Sequence, residues 1–142
     1  MKSLPTLIRL KQEALDEKRL VLTRFETEAA SIKSLIENVD IEVACESEAA
    51  RGDANSAFGY GSYLTRARAR RSGLEARLAE VDAKMAVAAD DVADAFREMK
   101  RFELAQSFAD QREAAELARR EQAELDDVGL SGYRRARAPG GF

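Results

Sequence analysis

The sequence predicts an all-α fold, a long antiparallel two-helix coiled-coil hairpin, and three observations carry that expectation. The 142-residue chain contains 26 alanines, no tryptophan and only two prolines, and is 35% charged. Such an Ala-, Glu-, Arg- and Leu-rich composition favours long helices over sheets. Apolar residues recur at alternating spacings of four and three through most of the chain, the periodicity of a coiled-coil seam. A single Gly-rich stretch, "RGDANSAFGYGS", interrupts that periodicity and offers a place for the chain to turn back.

The first helix is expected over about 4–51, with Pro5 in its first turn, where a missing N–H is tolerated. Stepping by four and three from Leu4 reaches Ile8, Leu15, Leu22, Phe25, Ala29, Ile32, Ile36, Val39, Val43 and Ala50, interrupted by Lys11, Lys18 and Glu46. A loop is expected over 52–61. The second helix is expected over 62–128, with Ser62 near its start and a seam running from Leu64 and Ala67 through Leu74, Leu78, Val81, Met85 and Ala88 to Met99 and Phe102. "RSGLE" places Ser72 and Glu75 at capping-box spacing around Gly73, but the seam continues through it, which favours an unbroken helix. Residues 1–128 thus form one hairpin domain, with helices of about 72 and 100 Å by helical rise. The segment 129–142, opening on Gly129 and ending "RRARAPGGF", is expected to be a disordered tail.

Folding the chain back at the Gly-rich stretch tests the two seams against each other, because antiparallel partners have position numbers of nearly constant sum. Ile36 then meets Leu78, Ala29 meets Met85, Leu22 meets Val92, Ile32 meets Val81 and Phe25 meets Ala88. Several layers set a large residue against a small one, as close packing requires. The same register brings acid to the arginines of "YLTRARARRSG": Glu48 is set opposite Arg66, Glu46 opposite Arg68 and Glu42 near Arg71. These charges read as register-setting pairs rather than as a phosphate grip. A net charge of −3 supplies no general attraction to nucleic acid or to an anionic membrane.

Composition also narrows the chemistry. The chain has no histidine and one cysteine, Cys45, which excludes a His/Cys zinc site and a Ser/His/Asp triad and fits a reducing compartment. "GYG" at 59–61 lacks the third glycine and preceding strand of a phosphate loop. Paired carboxylates such as Asp90 and Asp91 lie on a solvated helix, where nothing shifts their pKa toward acid–base work. No cofactor is called for, and the chain reads as a non-enzyme. It shows neither a secretory signal nor a transmembrane run, so a cytoplasmic location is expected.

With no interior to hold a ligand, the ends and outer faces of such a hairpin are where function is expected. Phe58, Tyr60 and Tyr63 gather at the tip, as partner anchors or as packing for the turn. Leu7, Leu10, Phe96, Leu104 and Phe108 gather at the open end. There the apolar stripe changes phase, from Met99 and Phe102 to Leu104, Phe108, Ala115, Ala118 and Leu125, and so turns away from the hairpin seam. By the pairing register the second helix also outruns the first beyond Asp110.

The stretches "MKSLPTLIRLKQEALDEKR" at 1–19, "YGSYL" at 60–64 and "AFREMKRFELA" at 95–105, on this hairpin pattern, resemble the FliJ family of the flagellar type III export apparatus, particularly its alphaproteobacterial members. The resemblance implies a non-enzymatic hairpin similar to the stalk of the rotary ATP synthase gamma subunit. It implies three protein partners: the flagellar export ATPase ring, the export gate protein and export chaperones, whose recycling such a protein assists. It implies a place at the base of the export apparatus, peripheral to the membrane only through protein partners; the charge pattern, for its part, calls for no nucleic-acid ligand. Leu7, Leu10, Phe96, Leu104 and Phe108 become candidates for ATPase binding, and Phe58, Tyr60 and Tyr63 for gate binding. The tail from Leu130 to Phe142 has no counterpart in the resemblance. The residues alone leave open a generic coiled-coil adaptor or scaffold, dimeric through the same apolar positions.

Overall fold

Residues 3–137 are described by the structure, a computed structural model. The protein is all-α: a helical hairpin of α1, Leu4–Gly52, and α2, Ala54–Ala136, with no strand among the described residues. The chain divides into a larger unit, Leu10–Glu98, and a smaller one that joins the first turns of α1, up to Arg9, to α2 from Met99 onward.

The two helices start differently, and only α2 has a side-chain cap on a backbone N–H. Ser3 precedes α1: its carbonyl accepts the Leu7 N–H at 3.1 Å and its hydroxyl lies 2.8 Å from that of Thr6. Asp53 precedes α2, accepting the Asn55 N–H on Oδ1 at 3.0 Å and the Ser56 hydroxyl on Oδ2 at 3.4 Å, while its carbonyl accepts the Ala57 N–H at 3.0 Å. A carboxylate here satisfies orphan donors and complements the positive end of the helix dipole.

That cap corrects the expected loop. Instead of an open segment over 52–61 with Ser62 starting the second helix, Asp53 alone separates α1 from α2. Gly59 and Gly61 sit in ordinary helical backbone, and a Cβ at either would meet nothing within 4 Å, so neither conformation nor space demands glycine there. Each lowers helix stability by about 1 kcal/mol without breaking the helix. The same holds at the other end, where α2 runs through Gly129 and Gly132 to Ala136 rather than stopping at 128. Of the segment expected to be disordered, 129–136 is helical, and 138–142 lies outside the described residues. The helix is also unbroken through Ser72 and Gly73.

In the larger unit the core is a seam one residue wide. Ala29, Ile32 and Val81 are buried together, with Phe25, Ile36, Leu74, Leu78 and Met85 packed around them. These are residues that the four-and-three spacing selects, because only that spacing keeps one face of each helix turned to its neighbour. Removing one such side chain from water contributes about 1.5–3 kcal/mol, and repeated layers hold the register. Lys18 and Glu46, the polar interruptions farthest into α1, stay exposed. Lys11 reaches Glu98 at 3.2 Å. No polar or charged residue is buried among the described residues.

Candidate docking surfaces

At the tip the three aromatics part company. Phe58 is 95% exposed, whereas Tyr60 and Tyr63 are half-buried. Partial burial raises the pKa of the Tyr63 phenol above its ordinary value, and the carboxylates of Glu42 and Glu46 raise it further. Tyr63 is therefore partly covered, and Phe58 is the tip aromatic that is free for contact.

The arginine cluster meets acid, with partners shifted from those expected. Arg70 holds Glu42 at 2.6 Å. Arg71 forms a two-pronged pair with Asp40, at 2.8 and 3.3 Å, and also reaches Glu75 one turn along its own helix. The hydrogen bonds from Arg71 hold the Asp40 carboxyl below the usual carboxylate range and raise the Arg71 pKa in return. The expected pairing of Glu42 with Arg71 fails because Arg71 stands on the seam itself. Its side chain must leave the apolar interface, and it exits on the flank of Asp40, while Arg70 exits on that of Glu42. Asp40 is the partner that sequence reasoning missed; its place next to Val39, a seam residue, was the available signal. Glu48 pairs with Arg51 on its own helix at 3.8 Å rather than with Arg66. Among the described residues no ion pair forms at Arg66, Arg68 or Glu46.

The open-end candidates are placed unit by unit. In the larger unit Leu10 is half-buried and Phe96 is 42% exposed. In the smaller unit Leu7 is half-buried, while Leu104 and Phe108, one turn apart on α2, are 58% and 54% exposed. The positions that keep the seam spacing there, Phe102, Gln106 and Ala109, are half-buried instead. Gln106 donates to Asp110 at 2.8 Å, but its own carbonyl oxygen is buried without a partner, a polar fault in an otherwise apolar stripe. From Asp110 to Ala136 every residue of α2 is exposed except Glu116 and Ser131. Leu117, Leu125, Val128, Leu130 and Tyr133 are among them. Of these only Leu125 belongs to the stripe predicted from the sequence; Leu117 and Val128 lie off that stripe, and Leu130 and Tyr133 lie beyond the expected end of the helix at 128. Arg137 closes α2 with its guanidinium 4.9 Å above the Tyr133 ring.

Among the described residues no cluster of His, Cys, Asp or Glu has the arrangement of a metal site, and no helix is long and apolar enough to cross a membrane. The surface hollows are open grooves, such as those lined by Glu121, Leu125 and Val128 in the smaller unit and by Val21, Phe25 and Val87 in the larger. What the molecule offers a partner is helix face and exposed apolar side chains.

Set against known proteins, the chain matches the family model described as "Flagellar FliJ protein" over residues 1–138. No curated protein and no solved structure matches it.

Proposed function

The chain belongs to the flagellar FliJ protein family, whose members are components of the flagellar export apparatus, and from that premise we propose that it acts as a non-enzymatic stalk linking the export ATPase ring to the export gate. One observation carries the reading: the stretch of α2 from Asp110 to Ala136 is helical, yet its apolar side chains are left in solvent. A helix without packing is marginal in water, so a stretch of this kind is stabilised by whatever covers it. The cover proposed is the export ATPase, gripping Leu104, Phe108 and Leu125. Leu7, Leu10 and Phe96 contribute less, the two leucines being half-buried already.

At the tip, Phe58 is proposed as the anchor for the export gate, since a fully exposed aromatic ring gains most from being covered. Tyr60 and Tyr63 shape its base. Escort of export chaperones fits the same logic of exposed helix faces. The protein reaches the membrane only through these partners and works on its cytoplasmic side. The test is co-purification with the flagellar export ATPase. The double variant Leu104→Ala, Phe108→Ala is expected to retain full helicity and lose at least tenfold in ATPase retention, about 1.4 kcal/mol or more. Undiminished retention would reject this docking surface.

A further inference from the structure

The larger unit has two unlike flanks. On one, α1 presents charge after charge to solvent: Asp16, Arg19, Glu26, Lys33, Glu37 and Asp40 are all exposed. On the other, three grooves follow one another along the hairpin; the first is lined by charged side chains and two alanines, and the other two are floored by apolar side chains. The apolar content is concentrated in two places. Val21, Phe25 and Val87 lie toward the open end, and Leu35 and Leu74 toward the tip. Val87 is 62% exposed and Leu35 is 43% exposed, so neither is needed to close the hairpin's own seam.

These positions are symmetric about one level of the hairpin. Glu28 lies midway between Val21 and Leu35 on α1, and the Glu80–Val81 step lies midway between Val87 and Leu74 on α2. A second copy laid antiparallel on this flank therefore sets Val21 against Leu35 and Val87 against Leu74, twice over. The charges obey the same symmetry. Toward the open end the grooved flank carries Asp91 and Asp94, and toward the tip α2 carries Arg70 and Arg66. The same operation that pairs Val87 with Leu74 adds Asp91 to Arg70, which holds Glu42 at 2.6 Å within its own chain, and brings Asp94 to Arg66. Arg66 has no ion-pair partner among the described residues. Three like-charge approaches remain: Lys84 to Arg77, offset by Glu80, which lies 3.6 Å from Lys84, and Glu28 and Glu80, each of which comes near its own copy at the axis.

We propose that this flank is a self-association surface on which two copies pack as an antiparallel, two-fold symmetric four-helix bundle. A two-fold interface must be self-complementary, and the apolar positions of this flank are, together with its Asp91–Arg70 and Asp94–Arg66 charges. The size is sufficient: the flank from Ala14 to Glu42 is about 40 Å long and two helices wide, on the order of 800 Å² per copy, the area of a stable interface. The proposal does not depend on the export reading, since its residues lie outside the candidate ATPase and gate surfaces.

Sedimentation equilibrium of the full-length protein, with helicity monitored by circular dichroism, tests it. The wild type is expected to dimerise, and Val87→Glu, at a position already in solvent, is expected to weaken the dimer at least tenfold with helicity unchanged. Asp91→Arg and Arg70→Asp are each expected to weaken it when alone and to restore it when the two variants are mixed, because the hybrid regains both opposite-charge contacts. Glu28 sits on the two-fold axis, so Glu28→Cys in a Cys45→Ser background is expected to oxidise to a covalent dimer, whereas Glu26→Cys on the charged flank is not. A wild type that stays monomeric up to its solubility limit overturns the proposal. So does a mixture that associates no better than its separate components, or equal cross-linking at positions 26 and 28.

Discussion

Arg71 shows how much one seam position decides. A cation on the apolar stripe is tolerated because its stem stays with the hydrocarbon and its guanidinium swings out to Asp40 and Glu75. The pair is exposed, so it selects register more than it adds stability. It does leave a pH signature. The folded protein holds Asp40 below its ordinary pKa of 3.8, so the contribution is complete above that value and is lost as pH falls through the depressed one. Asp40→Asn is therefore expected to lower stability near neutrality and to reduce the steepness of acid unfolding below pH 3.8; an unchanged acid limb, followed by circular dichroism, would count against the pair. The seam residues make a larger claim. Ile36 and Leu78 pack on the buried Ala29, Ile32 and Val81, whereas Glu37, beside Ile36, is exposed. Ile36→Asp or Leu78→Asp is expected to cost about 3 kcal/mol or more in urea unfolding, and Glu37→Lys under about 0.5 kcal/mol. Equal losses from all three would mean that the seam is misassigned.

At the scale of the element, legibility followed the physics of periodicity. The seam of α1 and α2 was readable because a coiled coil leaves a regular record: the residues chosen by spacing from Leu15 to Val43 are buried or half-buried, Lys18 excepted. The ends were not readable in the same way. Gly59, Gly61 and Gly129 looked like helix breakers, although glycine only weakens a helix, and the deciding residue at the turn was the cap Asp53. Among the candidate site residues, Leu104, Phe108 and Phe58 were found as exposed as their off-seam positions implied, while Leu7, Leu10, Tyr60 and Tyr63 were not. Position in the sequence gathered them at the right ends; it did not reveal which were spent on the hairpin's own packing. The helical state of the tip is testable. Gly59→Ala and Gly61→Ala are each expected to stabilise the protein by about 0.5–1 kcal/mol, because an added Cβ meets nothing within 4 Å and the backbone is helical. Neutral or destabilising outcomes at both positions would favour an open loop over a helix.

The whole molecule combines a part that holds itself together with a part whose apolar side chains stand in solvent. The larger unit, Leu10–Glu98, has its own buried cluster and its own interhelical ion pairs. The stretch of α2 past Asp110 has no buried residue at all. If that stretch is the docking element for the export ATPase, cutting it away removes binding and spares the fold. Isothermal titration of the flagellar export ATPase with full-length protein and with a chain ending at Asp110 measures this directly. The account predicts that the shortened chain keeps the melting temperature of its hairpin and binds the ATPase at least a hundredfold more weakly, about 2.7 kcal/mol. Equal affinity from a folded, shortened chain would contradict it.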